Sequence, residues 1–244
     1  MVETIYFARH GHRMDWIMPI NNTTYPTNLS WDPRLSDHGC NQALELSQYF
    51  VKNNIKIDRI YSSPLYRTLQ TATIIADKLD LEIFIEYGLS EWYNPFETKI
   101  YPGCAPLSLL CEFFPRINST YIPITKLPNN GETFQELHRR MNKTMQSLIS
   151  AEDNIKCILV IVHAASLVAG VKALIKQPNA VINCATCSLT KCTRSQESWV
   201  LELNGDTSSL SHGSENNCIF TEVVENDNDV EEMQINNTES EFMS

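Results

Sequence analysis

Three separate stretches of the chain carry residue types that handle an oxyanion: Arg9-His10-Gly11, then Ser62-Ser63-Pro64 followed by Arg67, and finally His163. Guanidinium groups bind paired oxygens in bidentate fashion and keep their charge, and hydroxyls complete the shell. Two histidines, two arginines and serine hydroxyls on one rim suit a phosphate. A carboxylate-binding site is the nearest alternative. An imidazole in that field can attack phosphorus in line and hold the group as phosphohistidine. The departing oxygen then needs a proton, so a general acid is expected opposite the histidine. Gly11 is expected to let the backbone turn sharply and approach the anion, and a helix starting near Pro64 to aim its N-terminal amides at the same point.

Each of these stretches follows a short apolar run. Thr4 to Ala8, Ile57 to Tyr61, Glu82 to Glu86 and Cys157 to Val162 read as strands, with Cys187 to Cys192 and Ser198 to Leu203 as a closing hairpin joined through Thr193 to Glu197. Helical periodicity falls between them. Ser36 to Lys52 places Cys40, Ala43, Leu44, Ser47, Phe50 and Val51 on one face, Pro64 to Leu79 repeats Leu65, Leu69, Ala72, Ala76 and Leu79, and a helix after Gly131-Glu132-Thr133 carries Phe134, Leu137, Met141, Met145 and Leu148. A last helix spans Ser166 to Ile175. The alternation predicts an α/β fold, a three-layer α/β/α sandwich with a mainly parallel central sheet, which binds ligands beyond the carboxyl ends of its strands.

The 244 residues, 43% hydrophobic, suffice for one domain over residues 1 to 221, with an irregular insertion at 93 to 130 that holds six of the eleven prolines. Residues 222 to 244 carry eight acidic side chains and no Lys or Arg, and read as an acidic disordered tail. That tail accounts for most of the net charge of −10. Without a basic face, direct nucleic-acid binding is not expected. No run of eighteen apolar residues and no signal peptide is visible, so a soluble cytosolic protein with reduced cysteines is expected. Cys184-x-x-Cys187, with Cys192 and Cys218, raises the question of zinc, but a second close CxxC pair is missing and Cys187 reads as the start of a core strand. No metal and no cofactor is expected.

Ala8-Arg9-His10-Gly11, the run Ser62 to Ala72 around Arg67, Val162-His163-Ala164-Ala165 and Gly131-Glu132-Thr133 together resemble the motifs of the histidine phosphatase, or phosphoglycerate-mutase-like, superfamily, over about residues 3 to 205. The resemblance implies that His10 is the nucleophile and that Arg9, Arg67 and His163 bind the phosphoryl oxygens. Gly88-Leu89-Ser90-Glu91-Trp92 resembles the segment that carries the acid in several branches, which makes Glu91 the candidate proton donor. Burial beside Trp92 and Tyr93 favours its protonated form and the arginines oppose it. His12-Arg13 departs from the mutase pattern and is shared with a phosphatase branch, which implies phosphate contact for Arg13. Within that branch, Glu91-Trp92-Tyr93, Phe113-Phe114-Pro115 and the run Trp199 to Gly205 resemble the histidine-phosphatase subunit of the fungal RNA polymerase III factor TFIIIC and its short stand-alone paralogue.

The expectation is a metal-independent phosphomonoesterase acting on a small molecule or a phosphoprotein. Trp92 and Tyr93, more than Trp16 or Trp31, are candidate pocket walls for an aryl phosphate or phosphotyrosine. A protein-binding subunit in a transcription complex, in the cytoplasm or the nucleus, is the alternative, and phosphoglycerate mutase is a third reading. His12, His38, His138 and His212 read as structural or surface residues.

Overall fold

The computed structural model describes residues 1–18, 25–96, 99–150, 154–220 and 235–237. Six strands form one sheet in the order β3-β2-β4-β1-β5-β6. β1 (Thr4–Arg9), β2 (Arg59–Ser62), β3 (Ile83–Ile85) and β4 (Cys157–Val162) run parallel, and β5 (Leu189–Ser195) and β6 (Ser198–Asp206) are antiparallel additions at one side. The period-two alternation of the inner strands sends side chains to two separate cores. Ile5, Phe7, Ile158, Val160 and Val162 meet α4 (Phe134–Ser150) and α5 (Ala164–Ile175) on one face. Tyr6, Ala8, Ile60, Leu159 and Ile161 meet α1 (Asp37–Lys52) and α2 (Tyr66–Leu79) on the other. The mainly parallel sandwich is therefore present, and it collects the carboxyl ends of β1, β2 and β4 along one edge.

The helix boundaries follow local chemistry. Ser36 caps α1 by accepting from Gly39 N at 3.1 Å. Thr133 Oγ1 accepts from Glu136 N while Glu136 accepts from Thr133 N, a reciprocal capping box that starts α4 at Phe134. α2 begins at Tyr66, two residues after Pro64, and α5 begins at Ala164, two before Ser166.

Several expectations are corrected. On α1 the buried stripe is Gly39, Gln42, Ala43, Leu46, Ser47 and Phe50, whereas Leu44 and Val51 are exposed. The stripe is rotated because Gln42 takes an inward place, accepting from His12 N and donating to Thr186 Oγ1. Cys187 is not in a strand: its φ of 51° ends a turn, and β5 starts at Leu189. The hairpin connection shrinks to Gln196 and Glu197, with Gln196 left-handed. Among the described residues of the proline-rich insertion there is one short helix, α3 (Leu107–Phe113). The acidic segment 222–244 lies outside the described residues except for β8 (Ile235–Asn237), whose backbone pairs with β7 (Cys218–Phe220).

Candidate active site

β1 delivers Arg9 and then His10, whose backbone N donates to Val162 O at 3.0 Å and so ties the end of β1 to the end of β4. His163 follows β4 directly, and the two imidazoles lie 5.4 Å apart between centroids. Both are buried, as are Arg9 and Arg67. Gly11 is required here by proximity: a Cβ on it would meet Gly39 O at 2.4 Å, so the loop after β1 lies directly against α1. Its φ is not positive, so the glycine serves this close approach rather than a left-handed backbone.

His10 Nδ1 lies 2.8 Å from Gly11 O. A carbonyl oxygen only accepts, so Nδ1 carries the proton and Nε2 keeps its lone pair. Burial, followed by the Arg67 and Arg9 charges, holds the His10 pKa well below the usual imidazole range. The ring is therefore neutral, the form that can act as a nucleophile. His163 is held down by the same means, burial first and then Arg67. Its Nε2 lies 2.8 Å from Ser63 Oγ. Its Nδ1 is 3.2 Å from Glu91 Oε2 without the alignment of a hydrogen bond.

Arg67 is placed by two carboxylates. Nη2 donates to Glu91 Oε2 at 3.2 Å, and Nη1 stands 3.5 Å from Asp32 Oδ1. Asp32 is fully buried and also accepts from Tyr66 N at 2.8 Å. The first amide of α2 is thus taken by Asp32, which corrects the expectation that it points at the anion. Burial pushes the Asp32 carboxyl up to about 6, against the opposing pull of Arg67.

Glu91 also accepts from Trp92 N at 3.0 Å, and its segment is tightly held. Arg140 Nη1 donates to Gly88 O and Ser90 O, Ser166 Oγ donates to Ser90 O, and Tyr101 Oη donates to Glu91 O. Glu132, from the Gly131-Glu132-Thr133 turn, pairs with Arg140 through its carboxylate, and its backbone O accepts from Trp92 Nε1 at 2.7 Å.

The aromatic candidates separate. Trp92 packs edge-on against Phe134 beside the α4/α5 core, with its indole nitrogen bound. Tyr93 is nearer the charges: burial pushes its phenol up to about 12, and Arg67 opposes. Trp16, rated lower from sequence, lies within 5.6 Å of the Arg9 guanidinium and 5.4 Å of that of Arg13, with its ring 6.2 Å from His10. Arg13 holds a bidentate pair with Asp15. Trp31 donates to Gly103 O. Asp32, Glu132 and Arg140 were missing from the sequence-based site, and only Glu132 carried a signal, as a member of a recognised motif; Ser63 was placed on the rim by its position after β2.

Arg9 Nε, Arg67 Nε and Nη1, and His163 Nδ1 are all buried without a hydrogen-bond partner. Buried donors left open in this way cost stability unless an acceptor meets them, and an oxyanion offers enough lone pairs to meet all four. His10, Glu91 and His163 also present ligand atoms within 4.8 Å of one another, a spacing that fits a metal ion. The positive charge at that point is already supplied by Arg67 on Glu91. Among the described residues the four cysteines from Cys184 onward form no metal-binding group.

The model of the histidine phosphatase superfamily (branch 1) matches residues 5–207. The chain is 32% identical to the transcription factor tau 55 kDa subunit of Saccharomyces cerevisiae over 96% of its own length and 63% of the yeast protein. It is 27% identical to ubiquitin-associated and SH3 domain-containing protein B of Mus musculus over 67% of its own length and 31% of that protein. The chain therefore spans under two thirds of either relative. The crystal structure of the Bombyx mori ecdysone phosphate phosphatase in complex with tungstate superposes with a TM-score of 0.70 at 20% identity, covering 83% of this chain and 93% of that one.

Proposed function

The chain belongs to the histidine phosphatase superfamily (branch 1), and from that membership and the geometry of the site we propose that it is a metal-independent phosphomonoesterase working through phosphohistidine on His10. The observation that carries the reading is the His10 ring itself. Its Nδ1 proton is committed to Gly11 O, which leaves Nε2 free beside Arg9, Arg67 and His163, whose buried nitrogens include four that make no hydrogen bond.

Arg9, Arg67 and His163 bind the phosphoryl oxygens, and Nε2 of His10 attacks phosphorus. Their charge stabilises the transferring group without reorganisation. The dianionic substrate takes up Arg67 donors that otherwise meet Glu91. Glu91 gives a proton to the leaving oxygen. Its carboxylate then takes a proton from water as the water attacks the phosphohistidine, and phosphate is released. Trp16 and Tyr93 flank this point, and Arg13, held by Asp15 with its guanidinium 5.4 Å from the Trp16 ring, is a further cation for the phosphate. A substrate with a flat apolar leaving group, such as an aryl phosphate or phosphotyrosine, suits these walls better than a small sugar phosphate.

The test is hydrolysis of p-nitrophenyl phosphate in the presence of chelator. Wild type turns over and His10→Ala does not; equal rates end the proposal.

A second reading draws on the 32% identity with the yeast transcription factor subunit over nearly the whole chain. On that reading the domain also docks in a transcription assembly, and part of the protein is nuclear. A pull-down in which His10→Ala keeps both partner capture and biological rescue favours docking over catalysis.

A further inference from the structure

Arg9 has a second set of partners at the tip of its side chain. Its Nη1 donates to Cys184 O at 2.9 Å and to Asn216 O at 2.5 Å, and reaches Cys218 Sγ at 3.7 Å. Cys184 Sγ in turn donates to Cys218 O at 3.0 Å. One guanidinium, which also belongs to the phosphate-binding group, thus touches the Cys218 thiol and the backbone of Cys184, whose own thiol lies against the Cys218 backbone. We propose that Cys184 and Cys218 are a peroxide-sensitive thiol pair whose oxidation to a disulfide is felt by the anion site through Arg9.

The two thiols are unequal in the way such a pair requires. The neighbouring Cys184 thiol and the Arg9 guanidinium, whose Nη1 stands 3.7 Å from the sulfur, hold the Cys218 thiol below its ordinary range, against burial, the charge of Glu91 and the 3.6 Å contact of its S–H with Asn216 O. Cys184 is pushed up by the same contact and by burial. Cys218 is then the thiolate that reacts first, and Cys184 the thiol that resolves. Burial pushes Cys40, Cys104, Cys157, Cys187 and Cys192 up, away from reactivity. Cys218 is only half-buried, so a small oxidant can reach it.

The chemistry balances with hydrogen peroxide as oxidant. The Cys218 thiolate attacks one peroxide oxygen, the O–O bond breaks, and hydroxide leaves to take up a solvent proton as water. Cys218 is now a sulfenic acid. Cys184 Sγ attacks that sulfur, its proton passes to the departing oxygen, and a second water leaves. Two thiols and one peroxide give one disulfide and two waters.

The consequence for the site is electrostatic. The thiolate offsets part of the Arg9 charge, and the disulfide removes that offset. A unit charge lost within several ångströms of a bound oxyanion alters affinity by about threefold or more in a partly buried site. Oxidation is therefore expected to tighten the binding of inorganic phosphate, and with it product inhibition.

The experiment uses the full chain, reduced or treated with hydrogen peroxide, with peptide mapping and calorimetric titration of inorganic phosphate. The expected map joins Cys184 to Cys218. Phosphate Kd falls about threefold or more on oxidation and returns with dithiothreitol. Cys218→Ser, neutral at that position, binds phosphate with the tighter affinity whether or not it is treated. A disulfide between other cysteines, or an oxidised wild type with unchanged phosphate Kd, overturns the proposal. The map reads the thiol pair without turnover, so a protein that forms this bond yet hydrolyses nothing contradicts the phosphatase reading and supports the pair.

Discussion

Arg140 and Glu132 are joined by hydrogen bonds of 2.7 to 2.9 Å, and the remaining nitrogen of Arg140 donates to the carbonyls of Gly88 and Ser90. The pair belongs to the fold, yet the backbone it grips runs straight into Glu91. Glu132→Gln leaves Arg140 buried without its counter-charge, and stability is expected to fall by about 3 kcal/mol. Because Glu91 loses its fixed approach, kcat falls more than KM rises. Urea unfolding and steady-state kinetics read both. Reduced stability with kcat intact assigns the pair to the scaffold alone.

Glu91 can be tested through the leaving group. If it donates the proton, Glu91→Gln slows hydrolysis of an alkyl phosphate by about 10²-fold or more. p-Nitrophenolate departs with little help, so the same variant loses far less on p-nitrophenyl phosphate. Equal losses on both substrates assign Glu91 to positioning Arg67, the partner it meets at 3.2 Å.

The two buried histidines give a pH signature. With folded pKa values depressed by burial and by Arg67, neither His10 nor His163 takes a proton near the usual value of about 6.5. Their Cε1 proton resonances are expected to stay flat from about pH 8 to pH 5.5. The linked stability is complete above about 6.5 and is lost as pH falls toward the folded values, because there the unfolded chain binds the protons. A titration midpoint near 6.5 for either ring contradicts its burial as neutral imidazole.

Asp32 has the opposite sign. Its folded pKa is raised from 3.8 to about 6, so the stability it contributes is full below the unfolded value and is lost as pH rises through about 6. The change is up to about 3 kcal/mol. Asp32→Asn removes that slope, so the Tm of the variant relative to wild type is expected to rise between about pH 4 and pH 7. A Tm difference independent of pH refutes the assignment.

The catalytic candidates were legible because a parallel sheet sends the ends of β1, β2 and β4 to one edge, so an apolar run followed by Arg9-His10, Ser63 or His163 announces its own position. Asp32 was not legible, since it comes from an aperiodic stretch and matters only where Arg67 and the start of α2 meet it. Gln42 misled the reading of α1 for a related reason: hydrogen bonds, rather than apolarity, turned it inward. Cys218 reaches Arg9 from the far end of the described chain, and no local pattern encodes a contact of that kind. Trp16 was underrated because its place depends on the two arginines that flank it.

The central claim is a covalent phosphoryl group on His10, and rapid quenching during turnover tests it most directly. Protein mixed with excess p-nitrophenyl phosphate, quenched in alkali and mapped by mass spectrometry is expected to carry one acid-labile phosphoryl group, on the peptide containing His10 and absent from His10→Ala. Turnover by wild type with no phosphoryl group on that peptide, or with the group on another residue, contradicts the account.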